Sequence, residues 1–277
     1  MILNRESVSI RVWKMKAIDI ARVTGRAAAA LGSTFAIHWI GVRARQIFTG
    51  RYYPGAIGLW GRCLAGIMGI RVHRLNERTG PRGGMIVANH MGFLDVPALL
   101  CHFPALFVIK MEMRRVFYFG KALARQGHVF VERGDKDSRR GAARGLRRRL
   151  EQGYPVIVFP EGRASPGAER LPFKVGSFAA AKEAGVPVEG CVIDYLPDRR
   201  MLEWDVERKT LPQLAELFAR RRTEISLEFV PAREVEGDPA RAAEEWHDLF
   251  QHKLEQYDRR RESRAAGEDG QGGGVAR

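Results

Sequence analysis

From Gly80-Pro81 onward, short apolar runs alternate with stretches of helical periodicity. Runs rich in β-formers occur at 85–88, 105–109, 128–131, 155–159, 187–193 and 224–230, with helical patterns between most of them. Repeated strand–helix–strand units predict an α/β fold, a largely parallel sheet flanked by helices. The 139–150 helix places Ala143, Leu146 and Leu150 on one stripe, and a C-terminal helix does the same with Trp246, Leu249, Phe250, Leu254 and Tyr257. Both stripes predict packing on the core. Upstream, Ile10, Trp13, Ala17 and Ile20 fall at helical spacing among basic residues, and Ala27 to Val42 carries no Asp, Glu, Lys or Arg. That run is shorter than the roughly 20 residues of a spanning helix. A second helical stretch, Ile57 to Ile70, holds Trp60, Leu64, Ile67 and Met68. The pattern predicts a two-helix hairpin lying in a membrane interface; a helical subdomain packed on the main body and a single tilted span are the alternatives. The expected division is a membrane-associating hairpin at 1–75, the α/β domain at 76–257 and a disordered tail at 258–277, rich in charge and glycine.

Charge changes this picture. Lys and Arg number 46 against 32 Asp and Glu, a formal net charge of +14. Such an excess points to nucleic acid, an anionic membrane surface or phosphorylated substrates. No zinc-finger spacing or RNA-binding aromatic block supports nucleic acid, so none is expected as a partner. The six arginines within 139–149 read as a solvated face. The three cysteines, Cys63, Cys101 and Cys191, lack CxxC spacing. No metal site and no disulfide are expected, and a reducing compartment fits. No cleavable signal is evident, and no Gly-x-Ser-x-Gly elbow supports lipase chemistry.

The chemistry sits at strand ends. The run Met85–Ala88 stops at Asn89-His90, and Asp95 follows at the start of a helix. Five residues apart on one helix the two side chains would diverge by about 140°. With His90 in the strand-to-helix turn they can meet as a His–Asp general-base dyad; a plain helix cap at Asp95 is the simpler alternative. Lys110 ends the run Phe107–Ile109, Arg133 follows Val129–Val131, and Glu161-Gly162-Arg163 follows Val156–Pro160, with Lys174 in the next segment. If these cations converge, they form a cup suited to a phosphate beside a histidine base.

Asn89-His90 with Asp95, the Gly127–Arg133 block and Phe159-Pro160-Glu161-Gly162, in this order, resemble the glycerolipid acyltransferase family over about residues 55–195. Val186-Pro187-Val188 resembles its fourth, apolar block. The resemblance implies that His90 deprotonates an acceptor hydroxyl, Asp95 orients it, and the alkoxide attacks an acyl thioester of coenzyme A or acyl carrier protein. Lys110, Arg133, Glu161, Gly162, Arg163 and Lys174 would bind substrate, and an apolar sheet and helix surface would take the acyl chain. The expected acceptor is a lysophospholipid, lysophosphatidic acid first, with lyso-ornithine lipid or glycerol 3-phosphate as the alternative. No cofactor is implied beyond the acyl-CoA or acyl-carrier-protein donor. The expected place is the cytoplasmic face of the cell inner membrane, monotopic or peripheral. Two positions depart from the family: Gly92 stands where many relatives have Ser, and Arg163-Ala164 replaces the usual Thr-Arg.

Overall fold

The most continuously apolar runs become the central strands of one sheet. The strands are β1 (Ile70–Arg74), β2 (Gly84–Ala88), β3 (Leu106–Lys110), β4 (Val129–Val131), β5 (Pro155–Val158), β6 (Val188–Leu196) and β7 (Thr223–Arg233). In the computed structural model, which describes residues 17–47, 54–81, 83–116, 119–165, 171–197 and 208–269, they form a seven-stranded sheet ordered β1-β7-β6-β2-β5-β3-β4. The five strands from β6 to β4 are mutually parallel. β7 runs antiparallel to β6, and β1 pairs in parallel with β7. Every residue of β2 and all but the last of β6 are buried, as expected for strands covered on both faces. The fold is thus the expected α/β arrangement with a largely parallel sheet.

The helices are α1 (Ala17–Ile47), α2 (Pro54–Met68), α3 (Asp95–Leu100), α4 (Phe119–Gln126), α5 (Lys136–Glu151), α6 (Val175–Ala184), α7 (Thr210–Ala219) and α8 (Pro239–Asp269), with a 3₁₀ turn at Met111–Arg115. One apolar core joins Ile37, Trp60 and Met68 of the N-terminal helices to Val87, Ile157 and Val192 of the sheet and to Trp246 and Phe250 of α8. On α5 the buried stripe is Ala142, Leu146 and Leu150, so Ala142 takes the place expected for Ala143.

α1 and α2 form the expected hairpin, tied by the Trp60 indole N–H donating to Thr34 Oγ1 at 2.9 Å. The hairpin is also bolted to the body. Arg22 and Arg26 donate to the carbonyls of Ala219 and Phe218, 2.8 and 3.0 Å away, at the C-terminal end of α7, where cations meet the negative end of a helix. Gly61 of α2 lies against Leu100 and Cys101 so closely that a Cβ there would stand 2.5 Å from the Leu100 carbonyl carbon. No helix among the described residues is long and apolar enough to cross a membrane.

Two expectations about extent change, and a third is untested. β1 joins the sheet instead of closing the hairpin region. The helical pattern at residues 8–16 lies outside the described residues. α8 continues to Asp269 through most of the stretch expected to be a disordered tail, because Arg261 reaches back to the Asp194 carboxylate and to the Pro197 carbonyl at 2.8 Å.

Candidate active site

β2 ends at Ala88, and the next six residues turn into α3. The Asn89 side chain is locked against β6: its Nδ2 donates to the Ile193 carbonyl at 2.9 Å and its Oδ1 accepts the Ile193 N–H at 2.7 Å. This amide pair mimics a strand ladder and stops the turn from drifting. His90 follows, and Asp95 opens α3. The Asp95 side chain does not serve as a helix cap; it folds back into the turn. Its Oδ2 accepts from His90 Nδ1 at 2.7 Å and from the N–H groups of Met91 and Gly92 at 2.7 and 2.9 Å. Its Oδ1 accepts the Tyr195 hydroxyl at 2.6 Å. Four donors thus converge on a carboxylate with no exposed surface, enough to offset its desolvation.

With Nδ1–H committed to Asp95, Nε2 of His90 presents its lone pair, and it has no protein partner among the described residues. The ring is about one-fifth exposed and stacks on Phe159 with centroids 4.1 Å apart. A fixed imidazole with one nitrogen anchored to a carboxylate and the other free is the geometry of a general base. Gly92 contributes its main-chain N–H, which needs no side chain.

The Glu161 turn lies directly beside this dyad because β5 pairs with β2. Glu161 points inward, 7% exposed, and accepts the Ser165 hydroxyl at 2.8 Å. The Ser165 N–H in turn donates to the His90 carbonyl at 3.0 Å. Burial pushes the Glu161 carboxyl up to about 8, against the opposing hydrogen bonds from Ser165 and the His90 main chain and with reinforcement from Asp95. It is therefore a neutral acid at pH 7, tying two loops together. Gly162 has φ +81°, a left-handed conformation that glycine adopts without strain, and it turns the chain so that Lys174 N–H can donate to Pro160 O at 2.8 Å.

Sheet order places the strand-end cations along one edge. Lys110, Arg133 and Arg163 follow β3, β4 and β5, and those strands are neighbours in the order β5-β3-β4. Their C-terminal ends lie on one edge, beside the end of β2 that carries His90. Lys110 and Lys174 are exposed and Arg163 is half-buried. Partial desolvation lowers the Arg133 pKa, Glu112 opposes this and Arg163 adds to it, so the two guanidiniums share one field. Ala164 is buried. Arg163 is the neighbouring cation whose charge Arg133 feels.

Several residues of the site are not evident from sequence. Tyr195 is a hundred positions from Asp95 and reads only as part of an apolar strand. A tyrosine at the end of a buried strand does carry a signal, since its hydroxyl requires a partner. Burial, then the Asp95 charge and hydrogen bond, push its pKa well up, so it remains a donor. Phe159 and Ser165 flank the Pro160-Glu161-Gly162 stretch, yet only the fold brings them against His90 and Glu161. Among the described residues no group of His, Cys, Asp and Glu is arranged to hold a metal ion.

Residues 69–194 match the Acyltransferase family model. The chain is 33% identical over 115 residues to 1-acyl-sn-glycerol-3-phosphate acyltransferase of Neisseria gonorrhoeae, 42% of this chain and 45% of that protein. It is 36% identical over 119 residues to lyso-ornithine lipid O-acyltransferase of Pseudomonas aeruginosa, 43% of this chain and 46% of the relative. These alignments span about half the length of the curated relatives. The solved structure of the 1-acyl-sn-glycerophosphate (LPA) acyltransferase PlsC from Thermotoga maritima shares the fold, with a TM-score of 0.57 at 21% identity, covering 84% of this chain and 98% of that one. The His90–Asp95 turn, the Arg133 block and the Glu161-Gly162 turn all fall inside residues 69–194, the segment that is similar to the Acyltransferase family.

Proposed function

We propose that the chain is an O-acyltransferase that moves a fatty acyl group from an acyl thioester to the hydroxyl of a lysophospholipid, lysophosphatidic acid being the first candidate. The observation that carries this reading is the anchored His90 with Nε2 open beside a row of strand-end cations. His90 Nε2 takes the proton of the acceptor hydroxyl as its oxygen attacks the thioester carbonyl. The new C–O bond forms, the C–S bond breaks, and the imidazolium returns the proton to the departing thiolate. Asp95, held by Tyr195 and two main-chain N–H groups, fixes the ring and stabilises its charged form. Lys110, Arg133 and Arg163 bind the acceptor's phosphate, while Glu161 and Gly162 shape the turn that presents Arg163, with Lys174 beside it. The test is lipid extraction after incubating the purified chain with acyl thioesters and a panel of lysolipids. Ester-linked diacyl product supports the reading; free fatty acid alone, or no product, rejects it.

Two arms separate the phosphate cup from general basicity. Lys110→Ala and Arg133→Ala are expected to raise KM for lysophosphatidic acid by about tenfold or more, since a charge-assisted hydrogen bond is worth roughly 1.5–3 kcal/mol, with little change in KM for the thioester. Equal, small effects from these and from Arg140→Ala would mean that no dedicated cup exists. The 36% identity to a lyso-ornithine lipid enzyme and the shifted arginine favour a second reading, in which the acceptor lacks a phosphate. Better acylation of lyso-ornithine lipid, with no KM effect at Arg163→Ala, would select it.

The hairpin is proposed to rest on an anionic membrane surface at the cytoplasmic face of the inner membrane. Leu31, Phe35, Trp39 and Ile40 of α1 are all more than half exposed, and Leu59 of α2 is exposed as well. Each such side chain is worth about 1.5–3 kcal/mol if fully withdrawn from water. Leu31→Glu with Ile40→Glu is expected to abolish co-sedimentation with vesicles of anionic phospholipid, and high salt alone is expected to release little of the unaltered chain. Complete release by salt would assign attachment to the basic surface instead.

A further inference from the structure

Beyond β4, the last strand of the sheet, α5 leaves a cavity of about 280 Å³ whose cationic lining is Arg114, Arg148 and Arg149 over Phe130, Gly141 and Gly145. None of the lining residues is acidic. His128, at the inner wall, is not an anion ligand. Its Nδ1 accepts the Phe107 N–H at 2.9 Å, its Nε2 donates to Gln126 at 3.1 Å, and burial, aided by Arg149, pushes its pKa down to about 3. It is a satisfied neutral ring.

The three guanidiniums differ in freedom. Arg149 is held by the Gly127 carbonyl at 3.0 Å and by Gln152 at 3.1 Å. Arg114 lies over the Phe130 ring, 5.7 Å from its centroid. The Arg148 guanidinium has no hydrogen bond or ion pair to protein among the described residues. The convex face of α5 is different: Arg147 is paired with Glu151 and Glu183 at 2.7 and 3.0 Å, and Arg140 with Asp137 at 3.4 Å. Two arginines of the expected solvated basic face are therefore paired with carboxylates, whereas the three arginines of the cavity meet no acidic lining residue. That favours a small polyanion entering a recess over an acidic protein covering the helix.

Position narrows the ligand. Met111 and Arg114 follow the C-terminal end of β3, and Val129 and Phe130 pair with Val108 and Ile109, so the cavity lies against β4 and the C-terminal half of β3, with Arg149 on its far side donating to Gly127 ahead of β4. β4 is the third strand from β2, about 14 Å at the usual strand spacing. A pantetheine arm has the length of roughly four or five extended residues, about 15 Å.

We propose that this cavity holds the nucleotide phosphates of a coenzyme A thioester, whose arm runs along the strand ends to His90; the proposal rests on the acyl-transfer reading above. Arg148 and Arg114 bind the phosphates, Arg149 adds to the field, and the glycine at 141 leaves room beside the helix.

Calorimetric titration of the full chain with adenosine 3′,5′-bisphosphate tests this without turnover. The unaltered chain is expected to bind it. Arg148→Ala, and Arg148→Ala with Arg114→Ala, are expected to weaken binding by about tenfold or more for each guanidinium removed, while Arg140→Ala leaves it unchanged. Inorganic phosphate and glycerol 3-phosphate are expected to bind more weakly by at least about tenfold. Absence of bisphosphate binding, equal binding by the double variant, or glycerol 3-phosphate binding as tightly through the same arginines overturns the assignment. The two readings fail separately. Bisphosphate binding through Arg148 in a chain that transfers no acyl group removes the activity and keeps the cavity; acylation from carrier-protein thioesters with no bisphosphate binding does the reverse.

Discussion

Replacing His90 by alanine is expected to lower acyl transfer from a thioester to a lysolipid by about 10²–10⁴-fold, the usual contribution of a positioned general base. On the proposed reading the acceptor hydroxyl then has no group to take its proton, whereas the strand-end cations remain in place, so kcat falls and acceptor KM changes little. Structural damage is an inadequate explanation here. Among the described residues the His90 side chain makes one hydrogen bond, to Asp95, and without it Asp95 retains the Met91 and Gly92 N–H groups and the Tyr195 hydroxyl. An unchanged near-ultraviolet circular dichroism spectrum and thermal midpoint would accompany the loss. A decrease of less than tenfold would remove His90 from the role of base.

Glu161 is expected to make the protein less stable as pH rises, and Glu161→Gln is expected to remove much of that dependence. The folded carboxyl binds its proton up to about 8, against a reference value of 4.5. Between those values the folded chain holds a proton that the unfolded chain has released, so stability falls with increasing pH. Its contribution is fully present below pH 4.5 and lost by the time pH passes about 8. A tenfold difference in proton affinity is worth about 1.4 kcal/mol, so the whole displacement amounts to several kcal/mol. Glutamine keeps the shape of the neutral acid, and its amide oxygen can accept from Ser165. The thermal midpoint of the unaltered protein should therefore drop between pH 6 and pH 9 by clearly more than that of Glu161→Gln. Parallel curves for the two proteins would show that Glu161 is already ionised in the folded state.

The strand runs are legible in the sequence because central parallel strands are apolar on both faces and leave uninterrupted signatures such as Met85–Ala88. β1 escapes because an edge strand needs only one buried face, and Arg71, His73 and Arg74 break its run. Site residues are legible where a charge immediately follows an apolar run, as at His90, Lys110 and Arg133. Their adjacency is not, because β5 inserts between β2 and β3, and only that non-local pairing sets the Glu161 turn against His90. The direction in which Glu161 points is hidden for the same reason: burial, not residue type, makes it a neutral internal tie. Arg261 is the complementary case. A segment rich in charge reads as disordered, yet one arginine paired with a buried aspartate on β6 carries α8 onward past it.

The close approach at Gly61 sets a distance as well as a contact. α2 rests backbone on backbone against the last turn of α3, and α3 begins with the aspartate that orients His90. On the proposed membrane placement, the hairpin and the dyad are two ends of one stiff caliper. The surface on which Leu31 and Ile40 sit fixes how high His90 stands above the bilayer. A larger side chain at position 61 would lengthen that caliper, leaving both ends intact but presenting the base at the wrong depth for a hydroxyl still anchored in lipid.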